Sequence, residues 1–138
     1  MSYSSWISQG NIGDGAGNCM DLPVLNVTIT APSDGFVVTW AHVNAYIDHD
    51  FGTEDLWVFL IETSPTDCIN LEGFSLDTIS ADIPSDSNMQ RSSSLQAIFP
   101  ISAGQTVTYY VNGYMTIGWD VDDVFGRGSI IAVFYPSQ

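Results

Sequence analysis

The chain has 138 residues, 45% of them hydrophobic, with 16 acidic and 2 basic residues and a net charge of −14. That balance disfavours nucleic acid, anionic membrane surfaces and phosphate-rich ligands, which are bound through Lys and Arg, and no apolar run approaches the roughly 18 residues of a membrane span. Only 13% of residues are charged, against about 25% on average, so the charge reflects missing cations and the surface is expected to be Ser, Thr, Asn, Gln and Gly.

Residues 1–22 lack a period and are read as an N-terminal arm or lead-in; 23–138 are read as one head domain. The stretch MSYSSWISQG has neither a basic region nor a long apolar core, so it is not read as a signal peptide. The expectation is a chain that has lost its leader, or one that leaves the cell another way, for instance in a virion. The glycine-rich stretch 10–18 (GNIGDGAGN) follows no strand, precedes no helix and holds no lysine, which removes the dinucleotide and phosphate-loop readings. One copy of a glycine-aspartate pattern is a weak calcium signal, so the stretch is read as a flexible arm that Trp6 and Ile7 anchor on a neighbour. Cys19 and Cys68 fit either one bridge in an oxidising compartment or two buried thiols. Neither a CxxC nor a histidine cluster is present for zinc.

From residue 23 the pattern is that of strands. Residues 23–30 (PVLNVTIT) alternate, with Val27 and Ile29 on one face; Asn26-Val-Thr is a glycosylation sequon of a kind common by chance. Residues 31–35 (APSDG) form a turn. Residues 36–48 form a long strand: Val37, Thr39, Ala41, Val43, Ala45 and Ile47 share a core-like face. Phe36, Val38, Trp40, His42, Asn44 and Tyr46 share the other, expected to be a rim or partner surface. Residues 56–61 (LWVFLI) are apolar without alternation. Residues 74–94 are read as one short edge strand plus loops, 95–99 as a strand, and 106–115 (TVTYYVNGYM) as an aromatic strand. The last stretch, 128–136 (GSIIAVFYP), also fails to alternate. With no helix signal and roughly seven or eight short strands, the fold class is an all-β, antiparallel β-sandwich or jelly roll. A run such as 130–135 reads as a strand covered on both faces. Since one face of an antiparallel sheet is usually wet, a second copy of the chain is expected to cover it.

Little in the chain carries catalytic chemistry. The only imidazole bases are His42 and His49, no GxSxG elbow is present, and nothing selects a glycosidase pair among the carboxylates; no enzyme is expected. His42 is read as a hydrogen-bonded side chain near an interface. His49 sits in an acidic loop, where Asp48 and Asp50 favour its charge. Asp48, Asp50, Glu54 and Asp55 in one loop, and Asp120, Asp122 and Asp123 in another, are candidate calcium ligands, since hard cations want several oxygens at short range. The competing reading is solvated loop acids.

The order of these features resembles the jelly-roll head of tumour necrosis factor ligands and the complement-type globular heads. Four stretches carry the resemblance: 35–46 (GFVVTWAHVNAY), 56–61, 95–111 (LQAIFPISAGQTVTYYV) with its small-residue turn, and 128–136 with its closing Tyr-Pro pair. Together they span roughly residues 23–137. There is no collagen-like stalk, and the 48–55 and 75–94 regions match nothing specific. The resemblance implies a compact homotrimer in which 56–61, 106–115 and 130–135 belong to one inward-facing sheet. Trp57, Phe59, Tyr109, Tyr110, Tyr114, Ile131, Val133 and Tyr135 are then the expected trimer contacts. The expected role is a non-enzymatic head for binding a protein or glycan, or for extracellular or cell-surface architecture; the alternative is a capsid decoration or fibre-head domain of a virion.

Overall fold

The computed structural model describes residues 1–6, 10–11, 19–68, 73–118 and 123–138. They form nine strands: β1 (Ser2–Trp6), β2 (Gly10–Asn11), β3 (Met20–Thr30), β4 (Gly35–His49), β5 (Asp55–Glu62), β6 (Ser75–Ile79), β7 (Asp86–Ile101), β8 (Thr106–Ile117) and β9 (Val124–Pro136). All pairings are antiparallel. One sheet runs β1-β9-β4-β7, with β2 also paired to β9; the other runs β3-β8-β5-β6. The fold is therefore all-β, two antiparallel sheets packed as a sandwich.

The period of two decides which side chains meet between the sheets. From the first sheet come Val37, Ala41, Val43, Ala45, Ile47, Leu95, Ala97, Ile130 and Ala132; from the second, Leu25, Val27, Ile29, Trp57, Phe59, Ile61, Tyr109, Val111 and Met115. The first sheet contributes several small residues against large ones from the second, so the layers interdigitate. Phe99 and Tyr109 stack at a ring separation of 4.9 Å.

Two expectations are corrected. Residues 86–94, read as loop, are the first half of the 16-residue β7, which pairs along β4 from Gly35↔Ile101 to His49↔Asp86. The inward position Ser93 is buried but polar, so the apolar period is invisible there. Second, 56–61 and 106–115 lie in one sheet and 130–135 in the other. Apolar excess marks a strand as covered, not which sheet it joins. In β9 the chain's own core covers one face only. Ile130 and Ala132 are buried in the core, Ile131 and Val133 are half-buried on the opposite face, and Tyr135 is exposed.

The second face of β5 is covered within the chain. Val58, Leu60 and Glu62 point away from the core and are still buried, and the segment just after β5 lies against this face at Asn112. The Asn112 amide, opposite Leu60, donates to the carbonyls of Ser64 at 2.8 Å and Asp67 at 2.7 Å. A disulfide between Cys19 and Cys68, with Cα atoms 5.6 Å apart, ties this segment to the start of β3. Where it is described, the 1–22 stretch supplies backbone to both sheets: Ser2–Trp6 pairs with β9, and Met20 and Asp21 pair with β8.

Candidate functional site: the outer face of the first sheet

The even-numbered residues of β4 and β7 and the odd-numbered residues of β9 from Arg127 to Tyr135 point away from the core. Register places them in rows. Phe36 lies between Tyr135 and Pro100, Val38 between Val133 and Ile98, Trp40 between Ile131 and Gln96, His42 between Ser129 and Ser94, and Asn44 between Arg127 and Ser92. The upper rows are apolar and open: Phe36 is 48%, Trp40 38%, Ile98 52% and Tyr135 49% exposed. Single exposed apolar residues need no explanation, but a contiguous apolar patch marks an interaction surface. A groove of about 540 Å³ runs through it, lined by Trp40, His42, Ser94, Ser129, Ile131 and Val133 among others.

The chain has 16 carboxylates, and none falls in 35–47, 87–101 or 124–136, the stretches that build the rows from Phe36 to Asn44; Asp48 and Asp86 stand at the far ends of β4 and β7. Arg127, one of two arginines, stands on it. The lower rows are polar but neutral: Ser92 Oγ donates to Asn44 Oδ1 at 2.6 Å, and His42 Nδ1 lies 3.4 Å from Ser94 Oγ. A serine beside an imidazole is half of a nucleophilic pair. The register neighbours of His42 on this face are Ser94 and Ser129.

The carboxylates collect elsewhere, many at one end of the sandwich. The loop 50–54 meets the loop 80–85 through Gly52 N to Ala81 O at 2.9 Å and Phe51 N to Ser85 Oγ at 2.9 Å. Asp48 N donates to Asp123 Oδ1 at 3.0 Å. His49 is fully buried here, against the reading of a loop side chain. Its Nδ1 donates to Asp55 Oδ2 and its Nε2 lies 3.1 Å from the Ile83 carbonyl. The Ile83 carbonyl can only accept, so Nε2 carries a proton, and the Asp55 carboxylate favours a second one on Nδ1. The Asp55 bond is the main cause that raises its pKa; burial opposes it, and the Ile83 carbonyl, the Asp55 charge and the Asp50 charge add smaller upward effects.

The candidate calcium ligands thus separate. Asp55 is engaged inside with His49, Asp123 is buried and bonded to the Asp48 backbone, and Asp50 and Glu54 are exposed, with Thr78 Oγ1 3.3 Å from Glu54 Oε1. Asp120 and Asp122 lie outside the described residues. Among the described residues no three His, Cys, Asp or Glu side chains come together in a group able to hold a metal ion.

The expected trimer contacts fall in three places. Trp57, Phe59 and Tyr109 fill the chain's own core, fully buried, and leave no surface for a copy; burial pushes the Tyr109 phenol above its usual pKa. Tyr110 and Tyr114 are half-buried on the outer face of the second sheet, and only Ile131, Val133 and Tyr135 stand on the face described above. Ile98 was absent from that expectation, although the alternation Leu95, Ala97 against Gln96, Ile98 carries the signal for it. Compared with known proteins, the chain matches no family model and no curated sequence.

Proposed function

We propose that the chain is a non-enzymatic jelly-roll head that assembles with copies of itself, as a trimer, through the outer face of the β1-β9-β4-β7 sheet, and serves in binding or surface architecture outside the cell. The pairing pattern supports the jelly roll: β1 pairs with β9, β3 with β8, β4 with β7 and β5 with β6, a chain wrapped from its ends inward. The number three comes from the resemblance of the sequence to trimeric heads. The observation that carries the proposal is the set of exposed apolar rows around Trp40, which hold no carboxylate on a chain of charge −14. Copies that meet there bury Phe36, Trp40, Ile98 and Tyr135 without bringing carboxylates of these rows together. The Cys19–Cys68 bridge supports an oxidising compartment.

Native mass at working concentration tests this. A trimer is expected, and a stable monomer overturns the reading. Because three copies total −42, the residual long-range repulsion weakens as salt screens it, so association is expected to tighten from low salt to about 0.15 M, where the Debye length is about 8 Å.

A further inference from the structure

Asn112 is fully buried under the segment after β5. Asn44 is bonded to Ser92 on the assembly face. Asn26 differs from both. It is the one asparagine followed at the second position by Ser or Thr, as Asn26-Val27-Thr28. It lies on β3, an edge strand of the second sheet, just after a register shift between Asp21 and Asn26. Leu25, Val27 and Ile29 point into the core, so Asn26 and Thr28 point out.

We propose that Asn26 is an N-linked glycosylation site, and that its glycan projects from the face of the molecule opposite the assembly face. In sequence the sequon is one chance tripeptide. Three structural observations give it weight. The asparagine is half-buried on the outward side of an edge strand, and the sequon threonine, Thr28, is exposed on the same side. Tyr110, its register partner, is a half-buried aromatic residue on the same outer face. The Cys19–Cys68 bridge fits the oxidising compartment in which such transfer occurs. The donor is an oligosaccharide on a lipid pyrophosphate, used by a membrane-bound transferase. Asn26 Nδ2 attacks C1 of the reducing-end sugar, the bond from C1 to the pyrophosphate oxygen breaks, the lipid pyrophosphate leaves, and Nδ2 gives up one proton.

The site is independent of self-association, and one set of proteins separates the two. The full chain is passed through the secretory route of a eukaryotic cell line, and the intact mass is read before and after peptide N-glycosidase. The expected result is a heavier chain that collapses on digestion, retained in Thr28→Ser and lost in Asn26→Gln and Thr28→Ala. A non-reducing mass confirming the Cys19–Cys68 bridge shows that each variant folded. Secretion of a bridged, wild-type chain at unmodified mass overturns the site. Native mass of glycosylated protein and of Asn26→Gln is expected to give the same number of subunits. Assembly only without the glycan overturns its placement opposite the interface. Two monomers alongside a verified glycan refute the assembly reading and leave the site standing.

Discussion

His49 and Asp55 lie six residues apart, at the end of β4 and the start of β5, and meet in the interior as a buried ion pair. The pair joins three connections at one end of the sandwich. The second ring nitrogen holds the Ile83 carbonyl of the 80–85 loop, and Gly118, after β8, packs directly against the Asp55 carboxylate. Such a pair is weak evidence for net stability, but removing one partner strands the other charge at a cost of about 3–5 kcal/mol.

The pH dependence follows from the direction of the His49 shift. Its folded pKa is raised above the unfolded value near 6.5. The charged ring therefore contributes in full below that unfolded value, and the contribution is lost as pH rises through the raised folded value. Over about pH 6 to 10, the Tm of the wild-type chain is expected to fall, while His49→Gln starts lower and stays flatter. Parallel curves for the two proteins would show that the pair does not couple folding to pH.

Gly118 and Gly104 both take positive φ, 73° and 76°, but their surroundings differ. A Cβ on Gly104 meets open space, whereas one on Gly118 runs into Asp55 Oδ1 and the Glu54 carbonyl. Gly104→Ala is expected to cost about 1 kcal/mol, the left-handed penalty alone. Gly118→Ala adds a clash that has to move the His49–Asp55 pair, for about 3 kcal/mol or more. Urea denaturation of the two variants side by side checks the difference.

Much of this architecture was legible in the sequence. In 36–48 and 106–115 the apolar period of two marks the strands, and it correctly assigns Val37, Ala41, Val43 and Ile47 to the core. It fails where the inward residue is small and polar: Ser93, opposite Val43, hides half of β7. It also says nothing about which strands are neighbours, so three covered strands were assigned to one sheet. The candidate face was half visible. Phe36 to Tyr46 read as a partner surface, but joining it to Ile98 and Ile131 needs the register of β7 and β9 on β4. The His49–Asp55 pair depends on a turn whose geometry no local pattern encodes.

The Cys19–Cys68 bridge closes a span of 49 residues, one that reaches from the start of β3 across β4 and β5. Removing that constraint releases denatured-state entropy worth about 4 kcal/mol in the chain-entropy view. Reduction, or Cys19→Ser with Cys68→Ser, is expected to lower the denaturation midpoint by a corresponding amount without changing the strand signal in circular dichroism. A reduced protein as stable as the oxidised one would mean that the Asn112 contacts alone hold the segment after β5.

The two faces of β9 give the sharpest test of how the chain is used. Ile130 is fully buried between the sheets, and Ile131, next in sequence, is half-buried beside Trp40 on the outer face. A carboxylate at 130 has no partner in the core and exceeds the stability of an ordinary domain of this size, so Ile130→Asp is expected not to fold. Ile131→Asp leaves the core intact and puts a carboxylate among the apolar rows around Trp40, which have none. It is expected to fold with nearly wild-type Tm and to run as a monomer in native mass. Tyr114→Asp, on the outer face of the second sheet, is the control and should still assemble. If Tyr114→Asp is monomeric while Ile131→Asp assembles like the wild type, the interface belongs to the other sheet, and the absence of carboxylates around Trp40 needs a different explanation.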